Sequence, residues 1–559
     1  MKGYHVLLAF MFSIVSFGQS TYSKLINQAD DLLEEHEDEQ SKRQAFSLYE
    51  KAFKSFPDSI TAADLSEISI IASELKEADK AFAYLDRLIK IERAQYGFLG
   101  WQNVTNKSAL EEYKNLLDDP RWASMMSEAH ALKAKFDVNL KEAEEEFYKV
   151  KSTKELTSTN GKKLYEEIKA YNPYLPKAKQ DYSISFAIND TVKTSFFIHL
   201  PKNYSPEKEY PVLFFLHGAV RYNNLQEFQT KELSLGGWNR YYTKYGDLDE
   251  VILIFPSGGK KYNWMTSNDG FFMIPAMLRE VKKAINVDDN KVFIAGHSNG
   301  ATGSFSYLMK DSSPFAGFYG FNTQPKVFTG GTFIENIMNR SFINFSTDED
   351  YYYPSNANDS FTAMMNELKA DYKEYRYNGF PHWFPEFDES EPAYEILFKD
   401  LKERQRKSFN KELTWEFDDN AYGGVDWLTN IKLDTLGQKA DWHKERNFKI
   451  TKWLEYDKAE NLQTIEVDKN AFDMPRLSGK AVARYKDNEF RIETSRVKSL
   501  SIAISPEMVN LKNKVKVYVN GKLYYDEKVD YDTAFMLDNF DKTRDRKTIW
   551  INKIDITVK

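Results

Sequence analysis

Three patterns of hydrophobic and polar positions follow one another along the 559-residue chain. Residues 20–150 repeat apolar side chains at helical spacing, whereas residues from about 150 to 405 alternate continuous apolar runs with helical segments. From about residue 409 the pattern changes to short runs in which apolar and polar residues alternate. These periods predict an N-terminal helical region, a central strand–helix region and a C-terminal strand-rich region.

In the helical region, the stretch "RQAFSLYEKAFKSFPDS" has small and aromatic residues at the spacing of two packed antiparallel helices. Ala45 and Ala52 allow close approach, Tyr49 fills the gap, and Pro57 ends the second helix. The pattern resembles a tetratricopeptide repeat, and Lys80 to Glu92 echo it; ordinary helical packing with accidental spacing is the alternative. Two or three repeats are few for a free-standing solenoid, so we expect the repeats to pack against the next domain. Its surface is also a candidate site for a protein partner.

The central region contains the runs "PVLFFLHG", "VILIFPSG", "KVFIAG" and "SFINFST", which are continuously apolar, as in strands buried on both faces. Helical patterns such as "FFMIPAMLREVKKAI" lie between them, which predicts a mostly parallel sheet with helices on both faces. "DYSISFAI" and "VKTSFFIHLP" alternate and predict an opening antiparallel hairpin. In the last region, "VKVYVNGKLYYDEKV" predicts a hairpin around Asn520-Gly521, and we expect an all-β, sandwich-like domain there.

The N-terminal residues have a pattern of their own. Lys2 precedes the apolar run from Val6 to Phe17, and the small residues Ser16 and Gly18 lie at the positions that a signal peptidase requires. This is typical of a secretory signal peptide, too short for a membrane-spanning helix, and a buried N-terminal helix is the alternative. We therefore predict four segments, which are a signal peptide at 1–18, a tetratricopeptide-like helical domain at 19–150, a strand–helix domain at 151–408 and a β-sandwich-like domain at 409–559.

The amino-acid composition restricts the expected binding partners and the expected cellular compartment of the protein. The formal net charge of −8 argues against nucleic acid or an anionic membrane as a partner. The chain has no cysteine, which excludes disulfides, thiolate metal sites and a cysteine nucleophile. No later stretch is apolar enough to span a membrane. We therefore expect a secreted or periplasmic protein of a bacterial envelope.

The stretch "AGHSNGA" has a serine, Ser298, between Gly296 and Gly300 at the point where a strand should turn into a helix. A serine hydroxyl is a weak nucleophile that needs exposure, a base and donors for an oxyanion. A sharp strand-to-helix turn provides the exposure, and it requires small residues two positions before and after the serine. The N–H of Asn299 and that of Ala219, which follows the strand in "FFLHGAV", are the candidate oxyanion donors.

With these motifs the sequence resembles the α/β-hydrolase superfamily over about residues 180–400, and in particular secreted serine esterases of the polyhydroxyalkanoate-depolymerase and feruloyl-esterase type. The resemblance implies an acid loop at "FSTDEDYYYP", where Asp350 and Pro354 match the family pattern. Ser346 and Thr347 replace the usual His-Gly of that loop, which leaves Asp348 as the alternate acid. The histidine loop of the family matches "GFPHWF" and gives His382.

Elimination among the histidines gives the same residue. Of the eight histidines, only His382 and His443 follow Ser298, and His443 lies in the predicted β-sandwich. Ser298, Asp350 and His382 then follow one another in the order of this fold. The sequence therefore predicts a secreted serine esterase that forms an acyl-enzyme and requires no metal or cofactor.

Three aromatic residues near the predicted site loops are candidates for substrate binding: Tyr222, Trp264 and Trp383. Each could stack on a sugar or an aromatic acyl group, and the alternative is a role as pocket wall or core. The expected substrate is a small-molecule or glycan-linked ester, such as an acylated polysaccharide. Two other functions stay open: a serine peptidase of prolyl-oligopeptidase type, and a non-catalytic helical-repeat binding protein with a hydrolase-like domain.

Overall fold

The computed structural model describes residues 21–559, except residues 35, 37, 92–98, 152–155, 221–239, 267–269 and 460. The signal peptide predicted at 1–18 lies outside the described residues. Those that are described form two compact units, one up to residue 143 and one from residue 144 onward. None of the helices in the described ranges has the length and apolar character needed to cross a bilayer.

The first unit is helical, as predicted. The helices that begin in it are α1 (residues 21–34), α2 (Glu39–Ser55), α3 (Ala62–Glu74), α4 (Ala78–Ile89), α5 (Gln102–Thr105), α6 (Ala109–Glu112) and α7 (Pro120–Phe147). Ala45, Tyr49 and Ala52 of α2 are buried in its core, and Pro57 follows the end of this helix. The tetratricopeptide assignment and the boundary at residue 150 stay predictions.

The second unit contains an eight-stranded sheet. Its strands are β1 (Asp181–Ala187), β2 (Lys193–His199), β3 (Tyr210–Leu216), β4 (Ile252–Pro256), β5 (Val287–Gly296), β6 (Gly317–Phe321), β7 (Ser341–Glu349) and β8 (Tyr372–Pro381). The strand order is β1-β2-β4-β3-β5-β6-β7-β8. β1 and β2 form the predicted antiparallel hairpin, and β2 pairs antiparallel with β4. From β4 onward, each strand is parallel to the next one in this order. The prediction of a mostly parallel sheet is therefore confirmed.

Helices connect and cover these strands. They are α9 (Arg240–Leu248), α10 (Met273–Ala284), α11 (Asn299–Lys310), α12 (Ser355–Leu368) and α13 (Glu391–Glu403), whereas α8 (Gly161–Lys169) precedes the first strand. α11 packs against β3, β5 and β6, and α12 packs against β7 and β8. Because the strands from β3 to β8 run in one direction, the segments that follow Leu216, Gly296, Phe321, Glu349 and Pro381 lie along one edge of the sheet.

The C-terminal part is rich in sheets. Its strands are β9 (Glu412–Phe417), β10 (Leu428–Leu433), β11 (Lys449–Tyr456), β12 (Leu462–Asn470), β13 (Gly479–Lys486), β14 (Glu489–Ser495), β15 (Val497–Ile504), β16 (Val515–Val519), β17 (Lys522–Glu527) and β18 (Asn552–Thr557). They form a five-stranded sheet, a three-stranded sheet and the separate hairpin β11–β12. β16 and β17 are antiparallel around Asn520-Gly521, as predicted, and both of these residues have the positive φ angles of a tight turn.

The expectation of an all-β C-terminal region is wrong in one element. Helix α14 (Thr533–Thr543) interrupts the strands, with the Asp532 side chain accepting a hydrogen bond from the N–H of Phe535 at its start. Met536 and Phe540, four residues apart, are buried on one face of this helix. α8 packs on α14 and contributes Leu164 and Ile168 to the core of the C-terminal sheets. The boundaries predicted near residues 150 and 408 stay predictions.

A buried ion pair joins the end of the central region to the C-terminal part. The Arg406 guanidinium lies 2.7 Å from a carboxylate oxygen of Asp545, and the two side chains are 3% and 8% exposed. The other carboxylate oxygen of Asp545 accepts from the N–H groups of Lys547 and Thr548. Burial raises the pKa of Asp545, but Arg406, together with these donors and Lys282, outweighs it and lowers the pKa below its usual range.

We expect Asp545→Asn to reduce the free energy of unfolding by about 3 kcal/mol at pH 7, because the substitution removes the carboxylate in direct contact with the buried Arg406 and leaves only the more distant Asp289 and Asp426 to balance its charge. Asparagine keeps the oxygen that accepts from the backbone, so the turn itself is preserved. The lowered pKa stabilises the folded chain above the pKa of about 3.9 in the unfolded chain, and this contribution is lost as the pH falls further. Urea titrations at several pH values should therefore show the two proteins converging below about pH 4.

The control is Asp468→Asn, which removes the partner of Lys449 in a pair whose side chains are 56% and 82% exposed. Exposed pairs contribute about 0–1 kcal/mol, so this variant should unfold almost as the wild type does. Equal losses in the two variants would contradict a special role for the buried pair.

Candidate active site

Ser298 lies at the turn between β5 and α11. Its backbone has φ 57° and ψ −122°, a left-handed conformation that is strained for a residue with a side chain. The N–H of Ser298 donates to the carbonyl of Phe321, and its carbonyl accepts from the N–H of Thr302. Strand β6 and the first turn of α11 therefore hold the serine in this conformation.

Two glycines make the turn possible. A Cβ on Gly300 would lie 1.7 Å from the carbonyl oxygen of Leu216, and a Cβ on Gly296 would lie 2.2 Å from the carbonyl carbon of Gly300. Any side chain at either position would collide with backbone. The sequence argument for small residues on both sides of Ser298 thus has a specific cause, which is the close approach of α11 to the ends of β3 and β5.

The two predicted oxyanion donors lie near this turn. Asn299 is the first residue of α11, so its N–H belongs to the unpaired N–H groups of a helix start. Ala219 is exposed and has φ 58°, and it follows Gly218, where an added Cβ would lie 3.2 Å from Cβ of Ser298. Both donors therefore flank the serine, and strained backbone occurs on both sides of the site.

His382 and Asp350 are in direct contact. The Nδ1–H of His382 donates to Oδ1 of Asp350 at 2.7 Å, and the two side chains are each 2% exposed. Asp348, the alternate acid, instead accepts from the N–H of Gly379 at 2.7 Å. Of the two candidate acids, only Asp350 contacts the histidine.

The sequence analysis missed two residues that hold Asp350. Nδ2 of Asn322 donates to Oδ2 of Asp350 at 3.1 Å, and the N–H of Tyr352 donates to Oδ1 at 2.9 Å. Asn322 follows β6 directly and has φ 55°, which asparagine tolerates better than most residues. Its place, after an apolar run that ends at the same sheet edge, was the signal that could have found it.

His297 links the serine turn to the histidine loop. Its Nε2–H donates to the backbone carbonyl of His382 at 2.8 Å, and the two rings lie 4.7 Å apart between centroids. Burial, with a contribution from His382, holds the pKa of His297 well below its usual range, so this ring stays neutral. No hydrogen bond joins the described side chains of Ser298 and His382; such bonds often tighten only when substrate binds.

The predicted aromatic residues differ in their surroundings. Trp264 is fully buried, and its ring packs at 4.8 Å on His217, which donates to the carbonyl of Gly218. Its indole therefore lies behind the loop that carries Ala219 and is not open to a ligand. Trp383 is 48% exposed, and its ring lies 5.2 Å from that of His382. Tyr222 lies outside the described residues.

The described part of the chain contains no group of three histidine, aspartate or glutamate side chains that could hold a metal ion. The chemistry available at this sheet edge is that of a hydroxyl, an imidazole and a carboxylate, with backbone N–H groups beside them.

Comparison with known proteins agrees with this geometry. Residues 188–318 match the "Esterase" family model. This part of the eight-stranded sheet region is therefore similar to esterases. The match includes Ala219, Ser298 and Asn299, and it ends before Asp350 and His382. No curated protein matches the chain.

Solved structures similar to the chain include three hydrolases. A thermostable esterase is 19% identical with a TM-score of 0.34, and the match covers 41% of this chain and 64% of that one. A ferulic acid esterase is 18% identical with a TM-score of 0.31, over 40% of this chain and 97% of that one. The S-formylglutathione hydrolase of Staphylococcus aureus is 14% identical with a TM-score of 0.30, over 40% and 99%. This chain thus spans less than two thirds of the thermostable esterase.

We expect Gly300→Ala to destabilise the protein by about 3 kcal/mol or more, at or above the upper end for an overpacked site, because the new methyl group meets the Leu216 carbonyl. Urea denaturation followed by tryptophan fluorescence measures the loss. Ser298→Ala is the matched control, since it removes one atom from the same turn and should change stability by less than about 1 kcal/mol. A wild-type midpoint for Gly300→Ala would show that the turn tolerates a side chain.

Proposed function

We propose that this protein is a serine hydrolase that cleaves carboxylic esters, with Ser298 as nucleophile, His382 as general base and acid, and Asp350 as the residue that orients His382. The observation that carries the proposal is the contact between His382 and Asp350 at the sheet edge that also bears the Ser298 turn. The match of residues 188–318 to the "Esterase" family model supports the same reaction class.

In this mechanism Nε2 of His382 accepts the proton of Ser298 as Oγ attacks the ester carbonyl. The carbonyl oxygen becomes an oxyanion, and the N–H groups of Asn299 and Ala219 stabilise it. Collapse of this intermediate breaks the bond to the alcohol, which takes the proton from His382 and leaves. Water then attacks the acyl-enzyme with the same proton transfers and releases the acid.

Asp350 keeps its charge throughout. It accepts the Nδ1–H of His382, which fixes the tautomer with the Nε2 lone pair free to act as base. Asn322 and Tyr352 donate to the two carboxylate oxygens and keep them in place. We propose glycan-linked acyl groups as substrates, in line with the solvent-exposed Trp383 beside His382.

The first test is labelling by a fluorophosphonate probe together with hydrolysis of p-nitrophenyl acetate. Ser298→Ala should abolish both, because the probe reacts only with an activated serine, whereas Ser306→Ala in the same helix should leave both unchanged. Asp350→Asn should lower kcat by about 10⁴-fold, and Asp348→Asn by less than about twofold. Wild-type protein that does not label would indicate an inert binding domain, and cleavage of peptide amides would indicate a peptidase.

We further propose that residues 1–18 direct export and are removed. Expression of the full chain in a bacterium should give a periplasmic or secreted product whose intact mass corresponds to a start at Gln19. Leu8→Arg interrupts the apolar run and should leave the product uncleaved in the cytoplasm. An uncleaved product from the wild-type gene would contradict the proposal.

A further inference from the structure

Aromatic side chains of the two neighbouring loops lie against His382, among them those of Tyr351 and Trp383. The ring centroids of Tyr351 and Trp383 are each 5.2 Å from that of His382. Trp383 is 48% exposed, so one of these rings has a face open to solvent directly beside the proposed base. Aromatic side chains commonly line ligand sites, so an exposed ring at this position is available to contact a bound substrate.

A third aromatic ring comes from the C-terminal part. The hairpin β11–β12 ends beside the loop that carries Asp350, where Tyr456 lies 5.5 Å from Tyr351 between ring centroids. The hairpin is anchored by Trp453, which packs edge-on against the buried Tyr353 at 6.1 Å, and by the packing of β11 on α12. Tyr456 is therefore held at a fixed place with respect to His382.

Most of this hairpin does not contribute to a core. In the described part of the chain, β11 and β12 pair only with each other, and Tyr456 and Ile465 are 47% and 37% exposed. A two-stranded sheet has little stability of its own. A few aromatic contacts hold this hairpin beside the site, and its contribution to a hydrophobic core does not explain its presence there.

We propose that Tyr351, Trp383 and Tyr456 form an aromatic platform beside the proposed triad, and that Tyr456 binds a sugar ring of the substrate. This inference rests on the proposed function and deepens it by assigning the sugar of an acylated oligosaccharide to a particular residue, Tyr456. It also gives the C-terminal part a role in specificity.

The surroundings of Tyr456 favour a sugar over other ring ligands. A pyranose has a face of C–H groups that packs on an aromatic ring, and hydroxyl groups along its edge that need hydrogen-bond partners. The exposed polar residues Glu455, Asp457 and Gln463 lie at the same end of the hairpin as Tyr456, on its opposite face, and Gln463 donates to Asp457 at 2.9 Å. The two carboxylates disfavour an anionic ring and suit a neutral, hydroxyl-bearing one.

The spacing predicts which substrates depend on Tyr456. Two ring contacts, of 5.2 Å and 5.5 Å, lead from His382 through Tyr351 to Tyr456. An ester without a ring does not extend to Tyr456, whereas the neighbouring sugar units of an acylated oligosaccharide do. Removing Tyr456 should therefore affect only the longer substrates.

The test compares Tyr456→Ala with wild type on acetylated xylo-oligosaccharides and on vinyl acetate, an ester without a ring. We expect kcat/KM to fall about tenfold on the oligosaccharides, mainly through KM, in the range measured for the loss of one stacking contact. On vinyl acetate the change should stay below about twofold. Tyr456→Trp should restore the oligosaccharide activity, since it keeps an aromatic face.

Leu523→Ala is the control, because Leu523 is 46% exposed on β17 of the five-stranded C-terminal sheet, outside the platform. It should act as wild type on both substrates. Equal losses by Tyr456→Ala on the two esters, or no loss on either, would overturn the platform.

A binding measurement separates this inference from the proposed function. Unacetylated xylotetraose is titrated by calorimetry into Ser298→Ala and into the double variant that also carries Tyr456→Ala. We expect saturable binding to the first and about tenfold weaker binding to the second. Absence of saturable binding to Ser298→Ala would overturn the platform even if Ser298-dependent ester hydrolysis is found. Conversely, tyrosine-dependent binding without any Ser298-dependent hydrolysis would support the platform and contradict the enzyme.

Discussion

The close contact between Gly300 and the carbonyl oxygen of Leu216 sets the geometry on which the candidate site depends. Because no Cβ intervenes, helix α11 begins almost on top of the end of β3, and the chain between β5 and α11 must turn within a single residue. That residue is Ser298, and its left-handed backbone turns the side chain out of the sheet. The same contact brings the segment after β3, with Ala219, next to the first N–H groups of α11.

Burial then separates the roles of the histidines at this edge. The pKa of His297 is held well below its usual range because charging it would cost desolvation next to His382. A neutral imidazole has one N–H group, and that of His297 donates to the backbone carbonyl of His382. Asp350, in contrast, accepts hydrogen bonds from Asn322, Tyr352 and His382, which satisfy this buried carboxylate and fix its orientation. In the proposed mechanism, proton transfer within the protein therefore takes place only between Ser298 and His382.

The predictable features were those encoded locally. The continuous apolar runs and the helical periodicity between them identified the parallel sheet, and the glycine spacing identified the Ser298 turn. Both the sheet and the turn depend on residues close in sequence. The family pattern favoured Asp350 but left Asp348 open, since the two residues lie two positions apart at the end of β7 and only the path of the loop decides which one contacts His382. Trp264 was placed too close to the substrate for a similar reason, as nothing in its neighbourhood in sequence reveals that His217 covers it. Helix α14 and the approach of Tyr456 depend on packing between distant segments, which periodicity does not report.

The C-terminal sheets are part of the body that supports the site. Leu164 and Ile168, which precede the eight-stranded sheet in sequence, belong to their core, and Arg406 is neutralised by Asp545 from beyond α14. The N–H of Arg546 also donates to the buried Asp289 in β5, the strand that ends at the serine turn. Removing the C-terminal part would therefore uncover apolar side chains and leave buried charges unpaired on the central sheet. The hairpin β11–β12 lies outside these sheets and contacts the central region by itself, through Trp453 on Tyr353 and β11 on α12. The position of Tyr456 beside Tyr351 therefore depends on these local contacts, and a site that includes Tyr456 requires them to persist.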